Sequence, residues 1–521
     1  MKSKLFLYMA ALPLGLTTVY AQSPQAAIDK FKSNATTWEL TNAALLKGIP
    51  LPNVGDASLG YFQDNGTFKH TLDAATRRGA QFNASRAHSV NKWDFYGSFD
   101  VKIFKDKEVA LTDMANPFRD NPYQVADSLS GDWNKQRYAL SLRAAAPTLM
   151  NGKLVLGLGV DYTVLTGARQ KDPRPLDNSN QLSLLPGLVY HLGKNSFLGL
   201  NGAWQRYRED LSVELYNYRL SYNTYKLLGL GEYEFSAPIQ LSSSTITRAF
   251  NGNEFGGNLQ YGMKGTAWNL LASAGYCYNK ENVIDGTSSP KKAGEHAFHE
   301  YAASLALNWS AKTAMHQLAA SWKQRNISNK EFHQVQNSTT KQYETVYAAV
   351  FNTNLRTRAS LSYLLNKSKA GDTLSWSLKA GAGYAGLDNR YATTRAWQTV
   401  DKADASLAFT KYFNCKSAAA FSLGILTMYE WVINKRLDYL PKNYSSNFVA
   451  NNIWIPAHQF MTTPAWNNQL SIQYTFPPFT KSRNQLYVKG TGYLNAAMED
   501  NGWVKKGDTR QGFQLSLGIY N

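Results

Sequence analysis

Apolar residues fall on every second position along much of this chain. In the closing segment RQGFQLSLGIYN, Phe513, Leu515, Leu517 and Ile519 share one face, and Gln514, Ser516, Gly518 and Tyr520 share the other. Alternation of this kind marks a β-strand with two chemically different sides. It recurs in KWDFYGSFDVKIF, where Trp93, Phe95, Gly97, Phe99, Val101 and Ile103 oppose Lys92, Asp94, Tyr96, Ser98, Asp100 and Lys102. GKLVLGLGVDY sets Leu154, Leu156, Leu158, Val160 and Tyr162 against Gly157, Gly159 and Asp161. TLSWSLKAGAGY and NQLSIQYTF repeat the pattern. A soluble sandwich also produces such segments, so the connections between them discriminate.

Short turns alternate with long loops, as in barrels that cross an outer membrane. The short ones are HSVN before Lys92, LGKN at 192–195, KGT at 264–266, SAK at 310–312, NKSKAGD at 366–372 and PPFTKS at 477–482. The long ones are expected over 105–133, 209–253, 279–297 and 433–466. ETVYAAVFNTNLRTRASLSYLL keeps one register from Thr345 to Tyr363, which predicts a single strand projecting far beyond the bilayer. The ups and downs then balance at about eighteen strands, with sixteen as the alternative. The expected fold is all-β: a transmembrane antiparallel up-and-down β-barrel over residues 55–521, with long extracellular loops and short periplasmic turns. The loop LSVELYNYRLSYNTYKLLGLGEYEF is expected to carry β-structure, either extending the wall or folding across the mouth.

The front end fits export. Lys2 and Lys4 precede an apolar run from Leu5 to Leu16, and Val19-Tyr20-Ala21 offers a small-x-small cleavage site. Residues 1–21 therefore read as a signal peptide, and the expected location is the cell outer membrane. No later stretch approaches the roughly twenty apolar residues of a spanning helix. Residues 22–54 read as an N-terminal periplasmic segment or small plug with a short helix, and docking beneath the barrel is favoured over insertion into the lumen. The 31 Tyr, 24 Phe, 13 Trp and 37 Gly suit a barrel with aromatic girdles.

Cys277 and Cys415 are expected at opposite ends of the wall, too far apart for a bridge. The net charge of +18 is scattered and forms no tract, which argues against nucleic-acid binding. No Gly-x-Ser-x-Gly elbow occurs and no Ser/His pairing emerges, so no catalytic residue is expected, and no cofactor. The densest ligand-type cluster is Glu295, His296, His299 and Glu300. On a strand, positions three apart point to opposite faces, so it remains a weak metal candidate.

Charge facing lipid at mid-bilayer is costly, so charges on strands should face inward. That parity assigns Lys92, Lys102, Arg137, Arg143, Lys323, Arg325, Arg356, Arg358 and Lys379 to the lumen, against the clearest acids Asp94, Asp100 and Asp161. A basic lumen favours anions. The same cations could instead pair with loop or N-terminal acids and fill a closed barrel.

Arg510, Gly512, Leu515, Leu517 and Tyr520 fit a pattern that resembles the terminal signal read by the barrel assembly machinery, although the chain ends on Asn521. Through TNAALLKGIPLPNVGDASLGY (41–61) and LLGLGEYEF (227–235), the chain resembles an uncharacterised family of Gram-negative outer-membrane β-barrels. TNAALL is also similar to the N-terminal hatch of fatty-acid transporter barrels, without its usual Pro. The first resemblance implies barrel architecture and no established substrate; the barrel is expected to be porin-like and monomeric. Expected partners are outer-membrane lipid and lipopolysaccharide and the assembly machinery, with a TonB-dependent transporter or surface lipoprotein as a further candidate. Passage or capture of a solute is the leading expectation. A structural or accessory barrel, binding a surface or secretion partner through its loops, is the alternative.

Overall fold

The alternating segments become strands whose apolar faces point away from a common axis. The computed structural model describes residues 24–34, 41–217, 222–234, 239–241, 245–369, 374–415, 418–439, 447–479 and 484–521. The expected signal peptide lies outside the described residues. Eighteen strands close into one antiparallel sheet. In chain order they are β1 (Gly55–Gly66), β2 (Thr76–Val90), β3 (Trp93–Ala110), β5 (Ser130–Ala145), β6 (Leu154–Arg169), β7 (Arg174–His191), β8 (Ser196–Glu214), β12 (Ile246–Lys264) and β13 (Trp268–Asp285). The series continues with β14 (Lys291–Ala311), β15 (Ala314–Gln336), β16 (Tyr343–Ser368), β17 (Leu374–Tyr391), β18 (Ala396–Asn414), β19 (Ala420–Asp438), β20 (Ala465–Thr475), β21 (Gln485–Ala497) and β22 (Thr509–Tyr520). Four short strands, β4 (Val125–Asp127), β9 (Tyr222–Gly229), β10 (Glu232–Tyr233) and β11 (Ile239–Leu241), lie in loops. The final strand closes the ring: β22 pairs with β1 from Tyr520 opposite Asp56 to Arg510 opposite Gly66.

The outer face carries two aromatic belts. Trp93, Trp268, Tyr261 and Phe413 are exposed near the periplasmic turns, and Tyr61, Phe255, Tyr276, Tyr301, Trp322 and Tyr384 near the other rim. Between them sit bare aliphatics such as Leu59 (62% exposed) and Leu517 (57%). Trp268 and Tyr276 are eight residues apart on one strand, so a strand tilted by about 40° puts the belts about 20 Å apart. That matches the apolar band of a membrane barrel. The wall is thus a solvent-facing hydrophobic surface made for lipid, with its polar face turned inward.

Several strands run well beyond this band. Tyr343–Ser368 is indeed one strand of 26 residues. The loop expected over 279–297 is instead mostly a hairpin, with β13 reaching Asp285 and β14 starting at Lys291. The physical reason is that above the bilayer both faces of a strand meet water, so the alternation that marks strands inside the membrane fades. The 105–133 and 209–253 loops are shortened at their ends for the same reason, with β3 reaching Ala110 and β8 reaching Glu214.

Candidate functional site

Two segments fill the lumen. The first is N-terminal. Helix α1 (Pro24–Asn34) buries Ala26 against Leu374 and Tyr412, and Ile28 against Tyr487 and Tyr520. Its Gln25 donates to Ser422 Oγ (2.8 Å), and its Asp29 accepts from the Tyr412 hydroxyl (2.9 Å). These wall residues alternate with the lipid-facing ones, so the helix sits inside the periplasmic mouth and not beneath it.

A 3₁₀ turn, Ala43–Gly48, continues the filling under β3 and β5–β7. Asn42 caps it and is fully buried. Its amide donates to Gln260 Oε1 (2.9 Å), Leu188 O (3.2 Å) and Leu200 O (3.5 Å), while its carbonyl oxygen accepts from Ala44 N (3.2 Å). The wall is cut back to receive it. A Cβ on Gly157 would lie 2.2 Å from Ala44 N, and one on Gly187 would lie 2.2 Å from Asn42 Oδ1. TNAALL is therefore the part of the N-terminal segment that is locked into the wall.

The second segment is the 111–129 connection, which dips inward from the extracellular side. Its root is held by Arg169, whose guanidinium bridges Asp113 (3.0 Å) and Asp127 in a buried cluster. Burial, and then the adjacent Asp127, push the Asp113 carboxyl well above its usual range. Farther along, Arg119 pairs with Glu209 and Glu281 (2.5 Å each) and lies 3.8 Å over the Tyr207 ring. Asp120 reaches the far wall, pairing with Arg325 (2.5 Å) and Arg356. Burial alone would raise the Asp120 carboxyl, but Arg356 and Arg325 hold it below the usual range. The loop is a strap pinned at both ends of its reach.

Above the strap, β9 pairs with β4 of the same loop region and with β10 and β11, not with the barrel wall. Residues 222–234 of the aromatic 209–253 connection therefore fold over the strap at the mouth and do not extend the wall. Leu72, Ala126, Tyr225, Leu227, Val449 and Ile453 form its apolar seam.

Between strap and wall lies a cavity of about 900 Å³. Its charged lining is Arg77, Lys102, Lys135, Arg137 and Lys489 against Asp64, Asp73 and Asp106. Asp106 is sandwiched by Arg77 (2.6 Å) and Lys135 (3.0 Å), and Asp64 by Arg510. Among the described residues Lys102 and Lys489 have no ion-pair partner. Phe62, Phe104, Phe118 and Tyr493 supply the apolar lining.

The residues assigned to the lumen by parity divide into three groups. Arg137 pairs with Asp100 (2.9 Å), Arg143 with Asp161 (2.8 Å), and Lys323 with Glu300 (2.9 Å). Arg325 pairs with Glu300 (2.6 Å) as well as with Asp120. Lys102, Arg358 and Lys379 have no ion pair among the described residues. Lys92 is a correction: it sits in the two-residue β2–β3 turn with φ 66° and is exposed, because β2 ends at Val90 and β3 begins only at Trp93. Sequence parity did not weigh Glu209, Glu281 and Glu300, whose inward position on strands was the available signal.

Strand geometry splits the Glu295–Glu300 cluster. His296 is buried against Asn329 (2.7 Å), whereas His299 bonds the lipid-side Tyr276 hydroxyl (2.8 Å). Glu300 faces the lumen and Glu295 faces out among lysines. The terminal pattern divides likewise: Arg510 binds Asp64, Gly512 packs under Tyr493, Tyr520 stacks on Tyr487 (4.6 Å), and Leu515 and Leu517 face lipid. Cys277 and Cys415 are free thiols.

A family model described as "Family of unknown function (DUF6850)" matches residues 43–521. No curated protein matches the chain. Solved structures similar to it include a Pseudomonas aeruginosa FadL homologue, 13% identical over 96% of this chain and 94% of that one, with a TM-score of 0.33. The ferric-catecholate import receptor Fiu from E. coli K12 is 8% identical over 89% and 81%, with a TM-score of 0.38. The copper transporter OprC is 8% identical over 89% and 81%, with a TM-score of 0.36.

Proposed function

This chain belongs to the family of unknown function DUF6850, and we propose that it is an outer-membrane barrel that captures and passes a small anionic solute. The observation that carries this reading is the cavity of about 900 Å³ with Lys102 and Lys489 on its wall, neither ion-paired among the described residues. A cavity of that size suits a small molecule. Lumenal cations without local carboxylates attract anions and repel cations. Arg358 and Lys379 extend the basic lining on the β16–β17 side of the lumen. The N-terminal segment stops the periplasmic mouth and the strap narrows the outer half, so the form described is closed.

Liposome swelling tests this reading. With barrels carrying Asn42→Ala to loosen the stopper, a small dicarboxylate should enter faster than a neutral sugar of equal size. Lys102→Gln with Lys489→Gln should abolish that preference. Equal entry of both solutes before the lysines are removed would sink the proposal.

An accessory role has one feature in its favour. The β15–β16 hairpin rises above the rim with Val335 and Val346 bare (61% and 72% exposed), a surface that could hold a partner protein.

A further inference from the structure

A separate cluster lies on the outside of the wall. Lys280 on β13, Lys292 on β14 and Lys330 on β15 converge on the single carboxylate of Glu295, at 3.2, 2.9 and 4.0 Å. Glu295 is buried, while the three ammonium-bearing chains are 48, 32 and 40% exposed. Lys292 also lies 4.1 Å over the Phe332 ring, which fixes its direction. Strand parity places the cluster on the lipid side: Lys280 shares its face with Tyr276 and Tyr278, and Glu295 stands opposite Lys330 in register.

Its height is equally specific. Lys280 is four residues beyond the outer-belt Tyr276, which at strand rise and tilt is about 10 Å above the apolar band. Lysine stems can lower their charged ends toward that boundary. Several other outward cations near this rim have a carboxylate of their own: Arg208 has Asp210, Lys105 has Asp132, Arg390 has Asp388, and Arg436 has Asp438. Here three positive charges share one acid, and the excess calls for a second anion at headgroup level.

We propose that Lys280, Lys292 and Lys330 bind a phosphate of a phosphorylated glycolipid in the outer leaflet, with Glu295 offsetting only part of their charge and competing with the phosphate for them. Phosphate oxygens accept charge-assisted hydrogen bonds from several ammonium groups at once. The lipid source is favoured over free phosphate by the position of the cluster, directly over the belt of Tyr276, Tyr301 and Trp322 that acyl chains must pass.

Native mass spectrometry of the full-length barrel in detergent tests this, with lipid A and enzymatically dephosphorylated lipid A as probes. The wild type should retain the phosphorylated form about tenfold better. The triple variant Lys280→Gln, Lys292→Gln, Lys330→Gln should lose that preference, and the triple Lys→Arg variant should keep it. Heat-modifiable gel migration reports folding. Should the Gln variant not fold, Glu295→Gln decides: removing the competing carboxylate should tighten lipid A retention, and unchanged or weaker retention overturns the proposal. Equal retention of both lipids by the wild type also overturns it, as does complete displacement of lipid A by excess inorganic phosphate, which would mark a free-phosphate site.

Discussion

Replacing Asn42 with alanine should open a barrel that is otherwise closed. The side chain makes four hydrogen bonds, two at 2.9 and 3.2 Å to the wall, a long one at 3.5 Å, and the cap on Ala44 at 3.2 Å. A neutral hydrogen bond contributes about 1 kcal/mol net, and the long one less, so their loss together with the stranded Gln260 oxygen costs at least about 3 kcal/mol. The wall itself keeps its pairing, because Gln260 still donates to Asn201 (2.6 Å). The cost therefore falls on the seated state of the N-terminal segment, and the unseated population should rise at least about a hundredfold. Single-channel recording in a planar bilayer reads this as open probability. A folded Asn42→Ala barrel with the open probability of the wild type would refute the reasoning.

Gly157→Ala should produce the same opening without deleting any hydrogen bond, since its Cβ would lie 2.2 Å from the Ala44 nitrogen; channel recording alongside Gly152→Ala tests whether position matters, because no heavy atom lies within 4 Å of a Cβ there, though its φ of 86° adds local turn strain. Asp120→Asn should free the strap tip from Arg325 and Arg356; these pairs are half-exposed, so the expected loss is about 1–2 kcal/mol, seen as about five- to thirtyfold faster amide exchange over 115–122. The lid should loosen as pH rises. Burial raises the Glu331 carboxyl to about 7, the Tyr391 hydrogen bond opposes this, and Glu232 on the lid adds to the rise. An acid whose pKa is raised on folding contributes stability that is intact below its ordinary pKa and is lost as pH climbs through the folded value. Amide exchange over 222–234 should therefore accelerate between about pH 5 and 7, and Glu331→Gln should flatten that dependence.

The wall was legible in the sequence because lipid and lumen impose opposite chemistries on adjacent residues. Phe513, Leu515 and Leu517 face lipid as their alternation requires, and Tyr343–Ser368 runs as one strand as expected, although its pairing with β15 shifts register at two points above the bilayer. What fills the wall was not legible. Arg119 and Asp120 lie in a polar loop, and their partners Glu209, Glu281, Arg325 and Arg356 are 90 to 236 residues away in sequence. Gly157 could be placed on the inward face by parity, but not as a seat for Ala44, since only the closed ring brings them together. The basic lumen was half legible: parity found the cations, while the acids that neutralise Lys323, Arg325 and Arg356 came from a strand face and a loop that parity alone did not weigh.

The reversal potential of the Asn42→Ala barrel in a salt gradient tests the central claim most directly. The account predicts an anion-selective value that moves toward neutrality when Lys102 and Lys489 become Gln. A cation-selective value, or one indifferent to both lysines, would contradict it.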